Sequence, residues 1–137
     1  MAVTMNGVTY ATHIEVLNGL FGKHYKAYQR AECKLGNGYS VWFPVVSRTT
    51  NKNSPAVQTA DNEWVNLLIN NDTEIHQYWP NQSHAPRQRL ANEKRITFAK
   101  FFSGGTYWYK FIGVFEKDPN QTTQDHTVYK RIATQYP

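Results

Sequence analysis

Two indoles and two amides, Trp64, Trp79, Asn66 and Gln77, sit at mirrored positions about a polar break, Asn70-Asn71-Asp72. Asn and Asp tolerate left-handed backbone and bond their own main chain, so this break has turn chemistry. A two-residue turn on Asn71-Asp72 sets Asn66 directly opposite Gln77 and Trp64 opposite Trp79. Directly opposed residues on one sheet face are close enough to act together. Such a face offers stacking surface and amide groups, which is chemistry suited to the edge of a nucleobase. A slip of one residue would change partners and faces and dissolve the set. Two other readings of the same stretch stay open. Asp61 can cap a short helix carrying Trp64, Val65, Leu67 and Leu68 on one side. Alternatively the hairpin is plain core, with Trp64 simply buried, as tryptophan is on average.

Residues 23–34 hold a second chemistry. Lys23, Lys26, Arg30 and Lys34 interleave with Tyr25 and Tyr28, a pattern that offers phosphate contacts and stacking rings. A solvated loop or edge strand explains the same residues. Arg87 and Arg89 lie in a basic, proline-containing stretch at 80–93, which reads as a strand-clamping loop or a surface excursion.

Catalytic constellations are poor. His13, His24, His76, His84 and His126 show no metal-ligand spacing. Glu32-Cys33-Lys34 has the Glu-x-Lys form of metal-dependent nucleases, but no Pro-Asp precedes it at a useful distance. Cys33 has no identifiable base as partner. Gly104-Gly105 is too short for a phosphate cradle and reads as a turn. Binding through aromatics, amides and cations is the expectation, with no enzyme activity and no cofactor.

The totals agree with one domain over residues 1–137, long enough for a real core. With 15% aromatic and 18% charged residues the chain is not of disordered composition. A formal net charge of +5 admits an anionic partner but equally serves solubility. A single cysteine excludes an internal disulfide and any cysteine-based zinc site. No apolar run approaches membrane-span length, and the N-terminus lacks a signal-peptide pattern. A cytoplasmic protein that does not engage a membrane is expected.

These residues need elements to position them. Thr12 and Glu15 form a capping box ahead of a short helix at 13–21, with Ile14, Leu17, Leu20 and Phe21 at helical spacing and Gly22 as its stop. Gly36-Asn37-Gly38 marks a turn. Tyr39 to Val46 reads as a buried strand in which Pro44 marks an edge or bulge. Residues 47–62 and 80–93 read as long loops. Residues 95–102 and 106–117 form a hairpin about the two glycines, and Gly113 signals a bulge or close backbone approach. Asp118-Pro119-Asn120 closes it, and residues 127–133 are a last strand. One helix and five or six strands without βαβ alternation give an α+β domain on a curved, mostly antiparallel sheet.

In order along the chain stand Val41-Trp42-Phe43-Pro44, Glu63-Trp64-x-Asn66, the Asn71-Asp72 break with Ile75, Arg95-Ile96, Tyr109-Lys-Phe-Ile-Gly113-Val-Phe-x-x-Asp118 and Val128-Tyr129-Lys-Arg131. Together they resemble the C-terminal SRA-like domain of 5-hydroxymethylcytosine-dependent restriction endonucleases, across roughly residues 13–135. The resemblance implies an SRA/PUA-like curved β-barrel that flips a modified cytosine into a pocket. It places Trp64, Asn66 and Gln77 in that pocket; Trp42 and Trp79 complete the candidate set. Gln77 stands where the family has a glutamate. An amide donates as well as accepts, so base or modification preference is open at this position. The family's nuclease domain has no counterpart in these residues.

The resulting expectation is a DNA-binding module for duplexes carrying 5-hydroxymethylcytosine or a related base. It would be a stand-alone reader or the specificity domain of a bacterial or phage modification-dependent restriction system, with a homodimer as an option. Tyr25, Lys26, Arg30, Arg87 and Arg89 are its candidate backbone contacts. Rival readings are an anti-defence or regulatory protein binding a small nucleotide or a protein partner, and a reader of RNA modification.

Overall fold

A computed structural model describes residues 2–47, 65–78, 93–121 and 126–137. Trp64, Trp79, Arg87 and Arg89 therefore lie outside the described residues, as do the expected loops at 47–62 and 80–93 apart from their end residues.

The helix α1 (His13–Phe21) forms where capping chemistry predicts it. The Thr12 hydroxyl accepts from the Glu15 N–H at 3.2 Å. Glu15 reaches back one residue beyond the cap, its carboxylate accepting from the Ala11 N–H at 2.7 Å. Gly22 ends the helix at φ 66°, and the Lys23 N–H returns to the Leu17 carbonyl at 3.2 Å. One detail of the apolar stripe differs from expectation. Val16 and Leu17 are fully buried, with Leu20 and Phe21 against the same core, while Ile14 is only half-buried.

The strands are β1 (Val3–Thr4), β2 (Thr9–Tyr10), β3 (Glu32–Lys34), β4 (Tyr39–Trp42), β5 (Val46–Ser47), β6 (Val65–Ile69), β7 (Glu74–Tyr78), β8 (Lys94–Ser103), β9 (Thr106–Lys117), β10 (His126–Ala133) and β11 (Gln135–Tyr136). Nine build one sheet in the order β3-β4-β8-β9-β10-β7-β6-β5, with β2 also paired to β9. Pairing is antiparallel except at β4/β8 and β5/β6. β1 and β11 pair separately and bring the two ends of the chain together. The expected strand at 39–46 is cut after Trp42. Pro44 has no N–H for a ladder, and the chain resumes as β5.

Among the described residues the ladder path is open. Its β5 end returns to β8 through a single bridge, Val45 with Lys100, where the Lys100 N–H donates to the Pro44 carbonyl at 2.8 Å. A barrel closed by continuous ladders, part of the expected fold, is not formed among these residues.

The central strands are buried on both faces. Val41, Ile96, Phe98, Phe111 and Val114 pack with the helix residues Val16 and Leu17 on one face. Trp42, Leu68, Ile75, Ala99, Ile112, Phe115 and Tyr129 pack on the other. Gly113, at φ 124°, is where β9 changes phase between the faces. Thr97 pairs with Gly113 and Phe98 with Phe111, so Ile112 is the extra residue of a bulge. The approach there is also close. A Cβ on Gly113 would stand 2.4 Å from Arg131 Cδ and 2.9 Å from the Ala133 carbonyl oxygen.

Candidate nucleic-acid interface

The hairpin of β6 and β7 carries the residues singled out by type. Asn70, Asn71 and Asp72 all have positive φ (53°, 56° and 65°), a backbone that Asn and Asp accept at small cost. Positive φ at both Asn71 and Asp72 is the pattern of a type I′ turn, whose twist suits two antiparallel strands. The Thr73 N–H closes the turn onto the Asn70 carbonyl at 3.2 Å. The pairing that follows sets Asn66 opposite Gln77, as the turn chemistry predicts. A helix capped by Asp61 is excluded for residues 65–69, which form the strand β6.

The two amides are bonded to each other. Gln77 Nε2 donates to Asn66 Oδ1 at 3.0 Å. Asn66, only 4% exposed, donates through Nδ2 to the Val45 carbonyl at 3.2 Å. Its carboxamide is thus fixed from both ends, and the O and N positions follow from the two partners. The Asn66–Gln77 bond uses one of the two Gln77 amide hydrogens and leaves its carbonyl oxygen uncommitted to Asn66. Across the sheet, Thr127, Gln77, Asn66 and Val46 form one row on four adjacent strands. Leu68 and Ile75, two residues further along their strands, belong to the core on that same face.

That face holds a second polar group of residues. Trp42 and Tyr129 rings lie 4.8 Å apart, and the Arg95 guanidinium sits 4.9 Å from the first ring and 5.2 Å from the second. Arg95 Nη1 also donates to Glu32 Oε2 at 3.2 Å. Burial raises the Tyr129 pKa, with Arg95 opposing the rise and Glu32 adding to it. Trp42 is 5% exposed and lies under Arg95, so in this arrangement its indole is part of the core wall. From sequence, Glu32 stands only in a weak Glu-x-Lys pattern and Arg95 only among the residues of the family resemblance, and nothing there pairs the two. They are 63 residues apart, and only the parallel β4/β8 pairing brings them together.

The tyrosine and cation stretch lies elsewhere. Tyr25, Lys26 and Arg30 are exposed, in a segment without regular structure between α1 and β3. Asn18 of the helix clamps the Tyr25 backbone in both directions, at 2.9 Å each. Tyr28 donates to the Glu32 carbonyl at 2.5 Å, and burial, then its neighbour Cys33, pushes its pKa up to about 12. Cys33 and Tyr28 pack on the helix-side core, whereas Asn66 and Gln77 border the opposite one. Of the expected backbone contacts, Tyr25, beside Tyr28 and Cys33, therefore stands on the helix side of the sheet, away from Asn66 and Gln77. Among the described residues no group of three His, Cys, Asp or Glu is gathered for a metal. No helix among them is long and apolar enough to cross a membrane.

The fold is thus a mostly antiparallel nine-stranded sheet with one capped helix. The SET and RING associated (SRA) domain model matches residues 2–137, and the chain belongs to that family. Among solved structures the chain is similar to the 5-hydroxymethylcytosine-specific restriction enzyme AbaSI, with a TM-score of 0.74 and 20% identity. That match covers 98% of this chain and 42% of the enzyme, so the chain spans under half of its relative's length. No curated protein matches by sequence.

Proposed function

We propose that the chain is a non-enzymatic module that binds DNA containing a modified cytosine, 5-hydroxymethylcytosine or a close relative. The base is flipped from the duplex and read by the Asn66 and Gln77 amides, with Trp64 stacking on it and Trp79 as a further wall. The observation that carries this reading is the bonded pair itself. A buried asparagine anchored to the Val45 carbonyl and holding Gln77 at 3.0 Å is a preorganised amide platform. Membership of the SRA family and the likeness of fold to a 5-hydroxymethylcytosine-specific enzyme support the choice of ligand.

A flipped cytosine exposes an amino donor and two acceptors on its pairing edge. The Gln77 carbonyl is suited to accept from the amino group. Its second amide hydrogen is suited to donate to the ring nitrogen or to a hydroxymethyl oxygen. A carboxylate at this position could only accept. The glutamine thus favours a base, or a substituent, that presents an acceptor as well as a donor. Arg87 and Arg89 are the proposed contacts to the phosphate backbone at the pocket; Lys26 and Arg30, with Tyr25 on the helix side, are proposed for a more distant stretch of the duplex.

The test is binding to matched duplexes holding one cytosine, methylcytosine, hydroxymethylcytosine or glucosylated hydroxymethylcytosine, at two salt concentrations. Discrimination that survives the higher salt is the expected result. Uniform weak binding that disappears with salt would mean that only the phosphates are read, and the modified-base reading would fall. In the discriminating case Trp64→Ala costs about 1–3 kcal/mol of binding, the usual worth of a base stack.

A further inference from the structure

The hairpin of β8 and β9 outruns the sheet. β8 pairs with β4 only as far as Thr97 and touches Val45 at Lys100. β9 pairs with β2 at Tyr109 and Lys110 and with β10 from Val114 onward. Among the described residues, 101–103 and 106–108 therefore have no third strand beside them, and the hairpin ends as a two-stranded ribbon closed by Gly104 and Gly105. Such a ribbon has little of its own to bury. It nevertheless carries Trp108, 38% exposed, opposite Phe101.

Strand alternation fixes which face this indole occupies. Ala99 and Phe101 are two residues apart on β8 and both belong to the core on the second face. Their direct partners are Lys110 and Trp108, which share that face. Lys110 Nζ stands 5.4 Å from the Phe101 ring. It is the face that carries Asn66 and Gln77. The segment from Pro44 to Val46 links the two regions, since Val45 bridges to Lys100 while its carbonyl accepts from Asn66. Lys100 itself points to the ribbon's other side, 4.6 Å from the Tyr107 ring. An exposed indole flanked by lysines on both sides of a ribbon pairs a stacking surface with positive charge, in a chain of net charge +5. That combination fits a nucleic-acid strand with an accessible base better than an apolar partner, which would leave both ammonium groups to be desolvated.

We infer that the end of this ribbon is a second nucleic-acid contact: Trp108 stacks on an unpaired base of a DNA strand, and Lys110, on the same face, engages a neighbouring phosphate. The inference rests on the nucleic-acid reading above but not on any preference for a modified base.

The experiment compares the whole chain with Trp108→Ala, Trp108→Phe and Lys110→Gln in binding to an unmodified single-stranded oligonucleotide and to the hydroxymethylcytosine duplex. Trp108→Ala is expected to weaken single-strand binding roughly tenfold or more, with Trp108→Phe restoring most of it. Lys110→Gln should reduce the salt dependence. Thermal melts check that each variant stays folded. Single-strand affinity unchanged in Trp108→Ala overturns the inference, as does a wild-type chain with no single-strand affinity. The two readings fail separately. Loss of single-strand binding in Trp108→Ala without discrimination among cytosines keeps the ribbon contact and removes the base pocket. Discrimination with an inert Trp108 does the reverse.

Discussion

The two faces of the central sheet are buried to similar depth but are made of different material. On the helix side the core is aliphatic and aromatic: Val16, Leu17, Ile96, Phe98 and Phe111 interlock with the rings of Phe43 and Tyr109. On the other side sit all four polar residues that are buried among the described residues, Ser40, Asn66, Thr97 and Thr127. Strand alternation assigns them there: Ser40 with Trp42, Thr97 with Ala99, Thr127 opposite Gln77, and Asn66 two residues from Leu68. The Arg95–Glu32 ion pair lies on this face too. Burying polar groups costs free energy unless they are paired, so their segregation to one face is not what a fold built only for stability requires. The contrast is one of material: the helix-side face is packed from apolar and aromatic groups, whereas the other mixes a hydrophobic cluster with fixed hydrogen-bonding groups.

The largest expected effect tests the helix-side face. Phe98 is fully buried there, between Tyr10, Phe21 and Phe111. Phe98→Ala should cost about 3–5 kcal/mol in denaturant unfolding. Gly113→Ala should be nearly as harmful, at roughly 2 kcal/mol or more, because φ 124° is strained for alanine and its Cβ would meet Arg131 and the Ala133 carbonyl. A small loss in either variant would show that the phase change at the bulge, and the two-faced core that depends on it, is less constrained than the packing indicates.

Asn66→Ala comes next and probes the polar face. It strands the Val45 carbonyl and the Gln77 amide, at about 1–3 kcal/mol of stability. If the face exists for recognition, the same variant should also abolish discrimination among cytosine modifications while leaving salt-sensitive binding. Lost stability with discrimination intact would return the amide pair to a structural role. Arg95→Met is expected to be milder, about 1–2 kcal/mol, since it removes the ring contacts and leaves Glu32 unpaired at a partly open site. Adding Glu32→Gln to it should recover part of that loss. No recovery in the double variant would mean that the pair's charge was not the cost.

What the sequence reveals of this contrast follows the range of the interactions. The hairpin register was legible because Asn71 and Asp72 impose a two-residue turn, and a tight turn fixes every pair beyond it. The helix was legible because Thr12, Glu15 and Gly22 are local signals, and the bulge because Gly113 interrupts an otherwise unbroken strand. Two-residue strands such as β1, β5 and β11 carry no periodicity, so nothing local announces them. The Arg95, Glu32, Trp42 and Tyr129 cluster depends on β3, β4, β8 and β10 meeting around one core, and no spacing in the chain encodes that. Trp108 read as one more strand aromatic. Only the end of ladder pairing on both sides of its hairpin separates it from the core rings.

The smallest expected effect concerns an imidazole packed on the apolar face. His13 stacks on Phe43 at 4.1 Å and 12°, stands edge-on to Tyr109 at 4.8 Å, and has a buried Nδ1 without a hydrogen-bond partner. Burial lowers its pKa from the ordinary 6.5, and the nearby Lys100 lowers it further, against a backbone bond with Tyr28 that raises it. A histidine whose folded pKa lies below its unfolded value binds fewer protons in the native state, so stability rises with pH across the gap between the two values. The contribution is complete above the unfolded value of 6.5 and declines as the pH falls below it toward the depressed folded value. His13→Phe keeps a flat ring against Phe43 and removes the titration. Melting temperatures at pH 7.5 and 5 should therefore differ less in the variant than in the wild type. Equal differences would show that the imidazolium is accommodated among Phe43, Tyr109 and Tyr28 as readily as in the unfolded chain. The helix-side face would then be more tolerant of charge than its composition implies.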